Sequence, residues 1–207
     1  MEKEIIELID KGKSIKINIE KMVKRHRYPQ DNKSMLFIAY HSIVAEHHTS
    51  IHLLIQSGLT GSSFALVRSL YEPIYRAHWV YGCALDDQIK KIIKGKDIFP
   101  RMKDMVEEID DSLGTGDFWQ LIKKNSWTAM NDYTHSGMRQ IMNRFKGNEV
   151  IPDYELGAIV EVLSGTNIAL LLMALFFFNA FNKIDEVKEL QGMIVEYTSS
   201  DEDTPEE

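Results

Sequence analysis

Apolar positions recur at helical spacing along almost the whole chain. Ile5, Leu8, Ile9, Ile15, Ile19 and Met22 form one stripe among lysines and glutamates, which predicts an amphipathic helix over 2–27. Pro29 pushes Tyr28 out of helical geometry and ends it. A second helix is expected over 33–57, stopping at Gly58, and a third from Thr60 or Ser62 to about 84. Pro73 lies inside the third and should bend it. A mixed-charge segment covers 86–95, and an exposed helix is expected over 101–113, closed by Gly114-Thr115-Gly116. Asp117 reads as the N-cap of a short helix over 118–125. Residues 126–145 keep the helical period but contain Ser136-Gly137, a kink or a break. Pro152 opens a long apolar helix to about 182, and 185–197 gives a last amphipathic one. Sustained period-two alternation is absent. The expectation is all-α: one helical bundle over 1–197, with a central apolar C-terminal helix and a kinked third helix. A disordered acidic tail over 198–207 follows it.

Composition narrows the class. The chain has 207 residues, 44% hydrophobic and 27% charged, with a net charge of −7. Five acids of the tail, Asp201, Glu202, Asp203, Glu206 and Glu207, leave residues 1–197 at −2, so the body is nearly neutral and not a basic nucleic-acid coat. A single cysteine, Cys83, excludes an intrachain disulfide framework and multi-cysteine metal sites. The charged N-terminus has no secretory pattern. Glu161 and Lys183 bracket 21 uncharged residues, but the uninterrupted apolar part, Ile168 to Phe178, covers 11 of them. A span wants about 20. The expectation is therefore a cytoplasmic protein with no membrane segment, whose apolar helix is buried on all sides in a bundle or a dimer interface.

Polar side chains interrupt the apolar helices in stripes. At 100° per residue His41, His48 and His52 share an arc of about 40° on the second helix, and Arg68, Glu72, Tyr75 and Trp79 an arc of about 60° on the third. Glu72 stands four residues from both Arg68 and Arg76. A third stripe, Asn131, His135, Met138 and Met142, aligns if its segment is one helix, with Tyr133 and Arg139 beside it. An unpaired charge in an apolar interior is costly, so such stripes should satisfy one another. One buried cluster is expected at a common centre. It is either a structural polar core or a site.

Recognised chemistry is sparse. Gly58-Leu59-Thr60-Gly61 is neither a Walker loop nor a dinucleotide fingerprint, and Gly-x-Ser-x-Gly is missing. Histidines four and seven apart could face a metal, but paired Glu-x-x-His motifs and His-Glu-x-x-His are absent, so no metal or cofactor is expected. A metal-dependent helical enzyme stays open as a further alternative.

Three segments, His41-Ser42-Ile43-Val44-Ala45-Glu46-His47, Ala65-Leu66-Val67-Arg68-Ser69-Leu70-Tyr71-Glu72 and Asn131-Asp132-Tyr133-Thr134-His135, resemble a group of bacterial helical proteins, some of them similar to the HEPN superfamily. The resemblance covers roughly residues 35–180. It implies an all-helical, often dimeric fold and metal-independent ribonuclease activity of the toxin–antitoxin or phage-defence kind. The superfamily signature is an Arg followed after four to six residues by a His. Here His135 and Arg139 stand in reverse order, with Asn131 one turn before. By that resemblance His135, Arg139, Arg68 and Glu72 are the candidate catalytic residues. His41, His48, Tyr75, Asn131 and Tyr133 are the candidate ligand-binding ones. RNA or a nucleotide and a second copy of the chain are the expected partners. The competing reading is a non-enzymatic dimeric interaction module with a structural polar core.

Overall fold

The N-terminal stripe forms α1 (Lys3–Lys24), burying Ile5, Leu8, Ile9, Ile15, Ile19 and Met22. The structure is a computed structural model and describes residues 2–199. After α1 come α2 (Asn32–Gln56), α3 (Thr60–Gly82), α4 (Asp86–Ile93), α5 (Met102–Leu113), α6 (Phe118–Thr134) and α7 (Met138–Met142). A hairpin of β1 (Phe145–Lys146) and β2 (Glu149–Val150) leads to α8 (Leu156–Ala180) and α9 (Ile184–Ser199). Asp31 starts α2 by accepting the Ser34 N–H at 3.0 Å, and Gly58, at φ +73°, turns the chain from α2 into α3. These two helices pack along one another and form the frame of the all-α bundle. α8 seals one side of it, against α1, α2, α3 and α9, while α5 and α6 cover α3 from the other.

α8 is apolar nearly all round, yet it is not buried on all sides. Its inner face, with Leu163, Leu170, Leu171, Met173, Phe177 and Phe178, is sealed in the core. Its outer face, with Ile168, Leu172 and Leu175, is half-buried. By length and composition α8 is the one helix among the described residues that could cross a membrane, and 44% of its most apolar window is buried in the bundle. Asn167 and Thr166, just before the uninterrupted apolar run, lie fully buried on the inner face.

Three boundaries differ from expectation. Residues 118–134 form one continuous helix, and the chain breaks only at Ser136, which adopts φ +55°. Past that break the helical period of 138–145 yields a single turn and then the hairpin, where Gly147, at φ +60°, allows the two-residue turn. α9 runs on to Ser199, its Thr198 and Ser199 hydroxyls bonding back to Ile194 and Val195. The rest of the expected acidic tail, 200–207, lies outside the described residues. α3 continues unbroken through Pro73.

Asp117 occupies the N-cap position of α6 as expected, but its side chain accepts no backbone N–H there. The side-chain acceptor is instead Asp110 of α5, 2% exposed, whose carboxylate accepts from the backbone N–H of Trp119 at 3.1 Å, of Gln120 at 3.0 Å and from the Thr115 hydroxyl at 2.6 Å. One buried carboxylate thereby answers the first free amides of α6 and fixes α6 to α5. Asp110→Ala should lower the unfolding free energy by about 2 kcal/mol and Asp117→Ala by less than about 0.5 kcal/mol, compared by urea denaturation.

Candidate functional site

The α2 histidines face α1, α8 and α9. Asn167 Nδ2 donates to the Leu8 carbonyl and to the Tyr197 hydroxyl, both at 3.1 Å. Its Oδ1 is therefore the acceptor for His48 Nε2 at 2.8 Å, which places the His48 proton on Nε2. His52 stacks on His48 with ring centroids 4.2 Å apart and meets the Thr166 hydroxyl at 3.4 Å. Gly12 of α1 makes room for this pair: a Cβ there would run into Asn167 Oδ1 and the His52 ring. One amide thus ties four helices together. His41, further along, packs its ring on Phe177 at 4.6 Å. Loss of hydration pushes His48 and His41 down to about 4 and His52 to about 3, from an ordinary 6.5. All three rings are neutral near pH 7, as is His78, held at about 4 by burial between Phe176 and the Ile74 carbonyl.

A second polar group lies where α6 crosses α3. Arg68 Nη1 donates to His135 Nε2 at 2.8 Å, and the guanidinium rests on the Trp127 ring, 5.0 Å from its centroid. Its Nε stands 3.8 Å from Glu72, whose other oxygen takes Arg76 Nη2 at 3.3 Å. Arg76 lies in turn over Phe99 at 4.5 Å. His135 caps the C-terminus of α6, its N–H bonded to the Asn131 carbonyl. It is exposed, while the Arg68 side chain keeps 23% of its surface and Glu72 29%. Because a guanidinium only donates, His135 must offer a lone pair at Nε2 and carry its proton on Nδ1. The result is a fixed cation beside an available base, on an open surface.

The expected single centre is two. Arg68, Glu72 and His135 do come together, with Asn131 one turn from His135 on the same helix. His48, His41 and His52 belong to the α1–α2–α8 core instead. Tyr75 is fully buried, edge-on to Trp119 at 5.7 Å and Trp127 at 6.1 Å, with its hydroxyl pushed well above the ordinary range by loss of hydration. Tyr133 packs against Phe64 at 5.0 Å and accepts from Asn143, turned away toward α7. Arg139 lies past the break, exposed on α7, with its backbone N–H bonded to Asp132. Met138 and Met142, also on α7, are exposed and do not continue the α6 stripe. Trp127, Asn167 and Gly12 were missed as organising residues. Trp127 is one turn before Asn131, a spacing that could have put it on the stripe.

Among the described residues no three His, Cys, Asp or Glu side chains stand close enough to hold a metal ion. A cleft of 540 Å³ lies between α1 and α9 and another of 300 Å³ among α3, α6 and α8. Neither is lined by Arg68 or His135.

The all-helical architecture thus carries a guanidinium–imidazole pair on an open face and a sealed histidine core behind it. The chain belongs to the family described as DUF6988, a family of unknown function, whose model matches residues 41–200. No curated protein and no solved structure matches it.

The depressed histidines make stability depend on pH. Their folded values lie below the unfolded 6.5, so between about 6.5 and 4 the unfolded chain binds more protons. Stability is complete above 6.5 and is lost as the pH falls through that window. Each ring contributes a slope of at most about 1.4 kcal/mol per pH unit. Urea midpoints measured from pH 7.5 to 4.5 should drop steeply, and His48→Gln should flatten the curve.

Proposed function

We propose that the chain is a HEPN-like helical protein of the defence or toxin–antitoxin kind, acting in the cytoplasm. In this reading the α3–α6 face binds a phosphate-containing ligand such as RNA. The observation that carries the reading is the 2.8 Å bond between Arg68 and His135. A phosphate oxygen is a better partner for a guanidinium than a neutral imidazole is, since that bond is charge-assisted. The ligand takes Arg68, and the Nε2 lone pair of His135 is released beside it. Trp127 holds the guanidinium in place, and Glu72 spaces Arg68 from Arg76.

With RNA the available chemistry is transesterification. His135 accepts the 2′-hydroxyl proton at Nε2, the 2′-oxygen attacks phosphorus, and the 5′-oxygen leaves with a proton from solvent. Arg68 neutralises the charge that builds on the phosphate. The products are a 2′,3′-cyclic phosphate and a 5′-hydroxyl.

A second reading, a dimeric interaction module, is favoured by the outer face of α8. Ile168, Leu172 and Leu175 leave an apolar strip half-open beside Phe118, which is 41% exposed. There the polar cores would serve specificity of packing.

Titration calorimetry with the dinucleotide UpU separates the two. The site reading expects binding that falls at least tenfold in both Arg68→Ala and His135→Ala, while Cys83→Ser retains it. Binding that ignores both substitutions, or no binding, defeats it.

A further inference from the structure

Exposed apolar side chains gather on one stretch of the chain. Met138, Ile141, Met142, Phe145, Val150 and Ile151 all stand open to water, Met138 at 64% and Val150 at 75% of its surface. No separate stretch of that length among the described residues holds more than two exposed large apolar side chains. Together the six leave on the order of 500 Å² open, at the upper end of what a monomer shows and a large share of the roughly 800 Å² per partner that a standard interface buries.

The open face follows from the way α7 is seated. At 100° per residue Met138, Ile141 and Met142 share one side of its single turn, and Gln140 and Asn143 lie on the opposite side. The polar side is the one turned toward the bundle. Gln140 Nε2 donates to the Gly61 carbonyl at 3.4 Å, and Asn143 Nδ2 to the Tyr133 hydroxyl at 3.0 Å. α7 is thus amphipathic with its apolar side outward, the reverse of a helix that covers its own core. The hairpin repeats the arrangement. Phe145 stands opposite Val150, so these two side chains leave one face of it, and Lys146 and Glu149 leave the other. The Asp153 N–H donates to the Asn143 carbonyl at 2.9 Å and ties the end of the hairpin to α7, so the two form one arm.

Charge selects the occupant. From Tyr133 to Val160 the chain holds Arg139, Arg144 and Lys146 against Glu149, Asp153 and Glu155, a net charge of zero. Lys146 and Asp153 pair with each other at 3.5 Å. The other four have no ion pair among the described residues, which leaves two cations and two carboxylates interleaved with the apolar side chains. A nucleic acid or an anionic membrane wants an excess of cations, and the arm has none. A second copy needs only that each sign meet its opposite, and a two-fold axis brings the cations of each arm to the carboxylates of the other. We infer that α7 and the hairpin form a self-association surface through which two copies of the chain make an isologous dimer. This goes beyond both readings above: it does not need the phosphate site, and it puts the contact on the arm rather than on α8.

Sedimentation equilibrium on the full chain, at concentrations up to about 100 μM, reads the association directly. The wild type should be a dimer. Ile141→Glu/Met142→Glu, at two exposed positions, should weaken association at least tenfold with an unchanged circular dichroism spectrum, while Phe118→Glu, beside the α8 strip, should leave it as it is. A charge-inverted pair tests the same contact without touching the apolar side chains. Arg139→Glu/Arg144→Glu and Glu149→Arg/Glu155→Arg should each be less dimeric than the wild type, and an equimolar mixture should form heterodimers. A chain that stays monomeric throughout the range overturns the inference, as does a dimer that survives Ile141→Glu/Met142→Glu, or one that Phe118→Glu dissociates as strongly. A monomer that floats with phosphatidylglycerol vesicles, and loses this in Ile141→Glu/Met142→Glu, overturns it too and makes the arm a membrane contact.

Discussion

Taking an ionisable side chain out of water costs several kcal/mol, roughly, unless it is neutral or bonded, and this cost sorts the polar residues of the bundle into two kinds. In the core the penalty is met by neutrality. His48 and His52 are pressed against each other and against Asn167 and Thr166, and their proton affinity falls until they behave as uncharged polar packing groups. Asn167 satisfies three partners from three other helices. At the α3–α6 face the cations stay charged, and they are bonded and left partly in water instead. The second setting is the one that suits a charged ligand, since the neutral core histidines have no charge to offer.

That division explains why Arg68 is poised while His48 is inert. Arg68 has a ring beneath it, a carboxylate on one side and an imidazole on the other. Each contact restricts its rotamers, so under the proposed function an incoming phosphate would meet a guanidinium already ordered. The bond to His135 is the exchangeable one of the three, because its acceptor is neutral. Placing His135 at the C-cap of α6, next to a residue with positive φ, gives the ring a fixed root but an open side.

Much of the architecture was legible in the alternation of apolar and polar residues. The stripe of Ile5, Leu8, Ile9, Ile15 and Ile19 is buried as a helical period demands, and Gly58 and Gly114 end helices where expected. Periodicity could not say which helix faces which. The α2 histidines and the Arg68 stripe each pointed inward, but helices packed on several neighbours have several inward directions, and the two stripes point to opposite sides of the α2–α3 pair. Capping was misread for a similar reason. Asp117 had the right local position, while Asp110 reaches the same amides from another helix, a contact between elements that local spacing does not encode. Asn167 was passed over because a lone amide in an apolar run looks like an interruption until its four-helix junction is seen. Arg68 and His135 were both expected at one centre, but sequence spacing set His135 with Arg139 and Arg68 with Glu72, and the observed Arg68–His135 pair depends on the break at Ser136 ending α6 where it does.

The claim on which this account turns is that Arg68 donates to His135 Nε2. The direct measurement is a two-bond 1H–15N correlation of the histidine rings at pH 8, with His135→Gln used to assign its signals. The account predicts a neutral His135 ring with its proton on Nδ1, perturbed by added inorganic phosphate in the wild type and not in Arg68→Ala. A ring carrying its proton on Nε2, or one indifferent to the loss of Arg68, would contradict it.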